Sequence, residues 1–311
     1  MATRAERIVR RRPRAASSWL DRHIKWLLVA PAVAIVVALT IFPLAFSVWV
    51  AFVQFDFSIG PEHPWVGFDN FADNWRDPVW RASLWRTAWF SVTMVAIELV
   101  LGLLLALAML RPFRGRRVFM TLFVIPLFIS PVVVGGFFDG FVRRPYGVAN
   151  QLASWVWPGD VTVDFTNEKP WLYIVLVLAD VWQWTPFMFV ILLAGLAGIP
   201  DSLYEAADLD GAKPGQAFRF VTLPLLLPII LIAVTFRLID AAKLFDIIFS
   251  LTRGGPGTDT YTTTYFLYQQ GFEFFHLGQG TAGAWMFMIM LAFISFWLVR
   301  RLLKPVEEER V

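Results

Sequence analysis

From Trp26 to Val50 the sequence carries no charged side chain. A run of that length is enough for a helix to cross the hydrocarbon core of a bilayer, which takes about 20 residues. Comparable runs recur at about Leu84 to Leu110, Val118 to Phe138, Trp171 to Leu196, Leu223 to Phe249 and Thr281 to Leu303. Backbone N–H and C=O groups find no water in lipid and must pair within the segment, so each run is read as a helix. The predicted fold is an all-α membrane protein with six transmembrane helices. Composition agrees: 58% hydrophobic and 16% charged residues with a mean hydropathy of +0.61 exclude an ordinary soluble domain. The first run is too long for a signal-peptide core and lacks a small-residue cleavage site, so it is read as a retained span.

Charge sets the expected orientation. Arg4, Arg7, Arg10, Arg11, Arg12, Arg14, Arg22 and Lys25 all precede the first span, which places residues 1–25 in the cytoplasm as a basic tail. A basic arm can also bind nucleic acid, but one that leads straight into a span is a topology signal, and no nucleic-acid partner is expected. The connection from Ala51 to Arg81 carries Asp56, Glu62, Asp69, Asp73 and Asp77 and should lie outside, with Trp65, Trp75, Trp80 and Trp85 suited to the interface. Arg111, Arg114, Arg116 and Arg117 mark a cytoplasmic loop, the stretch from Asp139 to Pro170 an external one, and Arg300, Arg301 and Lys304 the inner face again. The expected division is a tail (1–25), a first span with its external loop (26–83), a main transmembrane domain (84–303) and a C-terminal tail (304–311), with both termini cytoplasmic.

One polar stretch, Ser202 to Pro228, interrupts the last three spans and falls on the cytoplasmic side by alternation. Ser202 and Glu205 have capping-box spacing, which starts a short helix. Gly211 can take the left-handed conformation that ends it, and Pro214 suits the first turn of a second helix. Capping alone makes this a surface loop, yet Asp201, Glu205, Asp208 and Asp210 depart from the positive-inside pattern, as expected of a site that docks a partner.

Residues for chemistry are scarce. The sequence has no cysteine and no GxxxxGK[ST] loop, its three histidines lack metal-ligand spacing, and no GxSxG elbow occurs. Ionisable groups inside spans are costly unless paired or wetted. Arg237, Asp240, Lys243 and Asp246 alternate in sign at spacing three, as a self-paired ladder needed for assembly or as the lining of a solvated path. Glu98 in the second span calls for an interhelical partner, with Arg237 nearest in depth. Asp180, Trp182, Gln183 and Trp184, just before Pro186, could hold a sugar, the rings covering its C–H faces and the polar groups its hydroxyls. Their tryptophans would equally suit an interface.

Glu205-Ala206-Ala207, three residues, Gly211, nine residues and then Val221-Thr222-Leu223-Pro224 resemble the EAA loop of binding-protein-dependent ABC importer permeases. The family has Ile where Val221 stands. Phe245-Asp246-Ile247-Ile248 with Leu251-Thr252-Arg253-Gly254-Gly255-Pro256-Gly257, and Asp180 to Phe187, resemble the carbohydrate-uptake branch of that family, which includes maltose, glycerol-phosphate and polyol importers. The resemblance covers about Leu84 to Val299. It implies a coupling-helix loop over residues 201–222 between the fourth and fifth helices, with Glu205, Ala206, Ala207, Asp208 and Gly211 facing an ATPase. It also implies a heterodimer with a second permease subunit, two ATPase subunits that bind ATP and Mg, and an external solute-binding protein. The chain itself would hold no cofactor and perform no covalent chemistry, and its location would be a bacterial inner membrane. Two other classes fit six spans: a membrane-embedded glycosyltransferase, which would need a catalytic motif in an external or interfacial loop, and a channel, which would work without nucleotide.

Overall fold

The computed structural model describes residues 19–57, 60, 62–110, 113–143, 147–156 and 164–308. Arg4, Arg7, Arg10, Arg11, Arg12, Arg14 and Arg111 lie outside them. The chain divides into two units, one ending at Trp49 and one beginning at Val50. The described residues of the first are helix α1, Trp19–Ala51, up to that boundary. No residue of its most apolar stretch is buried, as suits a helix in contact with lipid or with other chains.

The second unit is helical throughout its described residues apart from turns and two isolated bridges. Helix α2, Asp69–Arg76, precedes α3, Pro78–Ala108. Asp77 caps α3 by accepting the Val79 N–H at 2.7 Å, and Pro78 occupies the position where a missing N–H costs nothing. Helix α4, Arg116–Val124, runs into a 3₁₀ turn, Ile125–Phe128, and then α5, Pro131–Val142, sets off at 98°. Pro131 causes this break: the residue before a proline is driven from the helical region, and Ser130 is extended, with φ −60° and ψ 135°. Helix α6, Val148–Val156, is followed by α7, Trp171–Ala197.

Helix α8, Asp201–Leu209, leads to α9, Pro214–Ala217, which continues through a π turn at Phe218–Thr222 into α10, Leu223–Ala241. Two short helices, α11 (Asp246–Leu251) and α12 (Thr263–Tyr268), and a π turn at Gln269–Glu273 precede α13, Leu277–Glu308. Among the described residues five helices are long and apolar enough to cross a membrane, and the pair bent at Ser130 brings the number to six if it crosses as one broken span.

Within this unit α3 and α7 lie closest. A β-carbon on Gly102 would come within 2.7 Å of Met188 Cβ and 2.9 Å of the Phe189 nitrogen, so glycine permits the approach. Helix α10 joins them over Leu226, Ile230, Phe189, Leu192 and Ala106, and it meets α3 and α7 again at Ala233, Ala241, Val95 and Met188.

Two expectations are corrected. The fifth span does not run to Phe249; α10 stops at Ala241, and the Leu244 carbonyl accepts the hydroxyls of Thr262 and Thr264, each at 2.7 Å. Those two hydroxyls satisfy a carbonyl that a continuing helix would otherwise use. The capping box at Ser202 is also absent. Helix α8 begins two residues earlier, its N-cap is Pro200, and no side chain caps it. A glutamine fills the analogous role in the second short helix, where Gln216 Oε1 accepts the Lys213 N–H at 2.8 Å.

Candidate functional site

Three spans meet at Arg237. Its guanidinium donates from Nε to Glu98 Oε2 at 2.9 Å and from Nη2 to Glu98 Oε1 at 3.0 Å, a two-pronged pairing of α10 with α3. Nη2 also donates to Asp180 of α7, and Nη1 to Asp240 Oδ2 at 3.2 Å. The Arg237, Glu98 and Asp180 side chains are at most 2% exposed, whereas Asp240 is 35% exposed. The Trp184 ring lies 4.7 Å from the guanidinium carbon, within cation–π range. The fixed planar fork of arginine suits this task, since it can bind one carboxylate twice and still reach others.

Beside this cluster is a cavity of about 210 Å³ whose lining includes Asp180, Trp184, Arg237, Asp240, Lys243 and Asp246. The break after Ala241 creates its polar side: Lys243 lies in the non-helical link and Asp246 opens α11. Of the ladder expected at spacing three, only Arg237 to Asp240 is an ion pair, because the helix that would have aligned the other two members has ended. The pairing of Glu98 with Arg237 expected from depth is present.

The four residues singled out on α7 do not act together. Asp180 and Trp184, four apart, share a helix face and reach the cavity. Trp182 points elsewhere, 41% exposed, with its ring 6.3 Å from Phe137 and 6.0 Å from Phe138 of α5. Gln183, 1% exposed, donates from Nε2 to the Ile129 carbonyl at 2.7 Å. It thereby satisfies a backbone group freed by the break before Pro131.

The second cluster is the knob between α7 and α10. Glu205, Ala206, Asp208 and Gly211 are exposed and Ala207 half-buried. Gly211 has φ +75°, with its N–H on the Asp208 carbonyl at 3.0 Å and the Ala212 N–H on the Ala207 carbonyl at 2.9 Å. Those two bonds form a Schellman end. Sequence reasoning missed Tyr204, whose hydroxyl lies 3.0 Å from Thr222 Oγ1 at the foot of α10. The signal was its place as the one aromatic residue of α8.

Residues 98–307 match the family described as binding-protein-dependent transport system inner membrane component. The chain belongs to this family. It is a membrane-spanning permease subunit of an ABC importer. The permease is 35% identical over 308 residues to the probable ABC transporter permease protein y4oQ of Sinorhizobium fredii, covering 97% of this chain and 96% of that one. It is 34% identical to the sulfoquinovosyl glycerol transport system permease protein SmoG of Agrobacterium fabrum, over 85% and 86% of the two chains. Against the trehalose/maltose transport system permease protein MalF of Thermococcus litoralis it is 33% identical, over 90% and 92%. Its fold is similar to a chain of a bacterial ABC transporter that imports the acidic polysaccharide alginate, with a TM-score of 0.79 at 23% identity, over 92% of this chain and 97% of that one.

Proposed function

We propose that this permease carries a sugar, polyol or related carbohydrate across a bacterial inner membrane through the cavity beside Arg237. The observation that carries this reading is the polar lining of that cavity, set among apolar spans at the point where α10 breaks. Asp240 and Asp246 can accept hydrogen bonds from hydroxyls, Lys243 can donate to hydroxyl oxygens, and Trp184 offers an apolar ring, which together suit a polyol. The sulfoquinovosyl glycerol and trehalose/maltose systems of the relatives support the same class.

The proposed assembly pairs this chain with a second permease subunit. Two ATPase subunits bind ATP and Mg and hydrolyse the nucleotide, and this chain holds no cofactor. An external solute-binding protein delivers the carbohydrate, and the related alginate transporter, described in complex with a pentasaccharide-bound periplasmic protein, supports that partner. Both termini lie in the cytoplasm, as the basic residues before the first span and at Arg114, Arg116 and Arg117 suggest. The knob around Glu205, Ala206, Ala207, Asp208 and Gly211 then faces the ATPase. Closure of the ATPase dimer moves the knob, and the spans reopen towards the loaded binding protein.

The test is purification of the complex through this chain, identification of what accompanies it, and thermal stabilisation of the accompanying binding protein by a panel of sugars and polyols. An ATPase with a binding protein stabilised by one of them is the expected result. Isolation of the chain alone, or of a binding protein stabilised only by amino acids or ions, would overturn the reading.

A further inference from the structure

Helix α8 is tied to the rest of the permease by very little. It buries no residue and has no side-chain cap, and only Tyr204 and Ala207 on it are half-buried. The Tyr204 ring packs against the apolar cluster that contains Leu196, Ile199, Leu226 and Ile230, at the end of α7 and the start of α10. Its hydroxyl meets Thr222 Oγ1 at 3.0 Å, and Thr222 is 4% exposed. Among the described residues this is the one side-chain hydrogen bond between α8 and any other element.

We infer that Tyr204 is a positioning residue for coupling: its bond to Thr222 makes α8 and α10 move as one piece, so that force applied to the knob enters the span instead of being lost at the joint. This rests on the coupling role proposed above. An apolar contact alone lets two surfaces slide, because it has no preferred direction. A hydroxyl-to-hydroxyl bond fails within a few tenths of an ångström of stretch and therefore fixes the register. From Pro214 to Ala241 the chain is one continuous helical rod, and Arg237 lies fifteen residues beyond Thr222, about 22 Å at 1.5 Å per residue. The rod thus joins the strut at its foot to the ion cluster beside the cavity.

Tyr204→Phe keeps the ring in its cluster and removes only the oxygen. The complex, purified with its ATPase subunits and reconstituted with loaded binding protein, should keep its composition and basal ATPase rate. The ATP hydrolysed per carbohydrate imported should rise about two- to tenfold, the factor carried by one ordinary hydrogen bond. Thr222→Val should do the same, Thr222→Ser should stay near the unaltered ratio, and the double variant Tyr204→Phe with Thr222→Val should be no worse than either single one. An unchanged ratio in Tyr204→Phe, even with a lowered melting temperature, would make the bond merely structural and overturn the inference. So would a double variant whose defect is the product of the two single defects. If the unaltered complex showed no ATP-dependent uptake, the coupling reading itself would fall and this inference with it; a coupled wild type with an unaffected Tyr204→Phe removes the strut alone.

Discussion

Arg237 joins three helices through one planar group, and its partners are unequal. Glu98 and Asp180 are sealed from solvent, whereas Asp240 is 35% exposed. Arg237→Met should leave two buried carboxylates side by side without their cation, a loss of about 3–5 kcal/mol, seen as a large fall in the melting temperature or membrane yield of the complex. Asp240→Asn removes a partly solvated arm worth at most about 1 kcal/mol. It should insert normally, so a loss of uptake at normal membrane levels would mark Asp240 as part of the path, and unchanged uptake would remove it. The Glu98 to Arg237 pair was legible in the sequence because two opposite charges at similar depth in lipid need each other. Asp180 was noticed for a different reason, its place beside two tryptophans, and nothing local indicates that it turns to an arginine 57 residues away. Lys243 and Asp246 were placed on the ladder by a spacing rule that holds only while the helix continues.

Elements fail in the sequence where their ends depend on distant groups. Val118 to Phe138 was read as one span, and the 98° break that Pro131 makes inside it was not. The end of α10 has no local cause, since neither proline nor glycine follows Ala241; threonines 262 and 264 hold the Leu244 carbonyl from another element. Gly211 was legible, because a positive φ after a short polar helix has a chemical signature. A β-carbon there would meet nothing within 4 Å, so Gly211→Val should act through backbone strain alone, about 1–2 kcal/mol. That cannot unfold six spans. The variant subunit should insert at near-normal levels while its ATPase dissociates in detergent or stops responding to loaded binding protein, and Gly211→Asn, which tolerates the same φ, should retain both. Gly102 makes the opposite case. Its φ is ordinary, but Met188 Cβ would stand 2.7 Å from any side chain. Gly102→Ala should force α3 from α7 at about 1–3 kcal/mol, measurable as a lower melting temperature of the purified complex.

At the scale of the whole molecule the hydrophobic runs were the most readable feature. Their approximate places follow from run length and bilayer thickness, and most of the helix ends lie outside the runs read from the sequence. Orientation rests on charge, and reporters fused after Arg117, Gly211 and Lys304 should signal cytoplasm while those at Glu62 and Gly257 signal the outside. An external signal at Gly211 would place the knob out of reach of any ATPase. Coupled import is tested by uptake into sealed vesicles containing the complex purified through this chain, with ATP confined to the side of Gly211 and carbohydrate-loaded binding protein on the other. Accumulation should require both; equal uptake without nucleotide would rule out ATP-driven import through this permease.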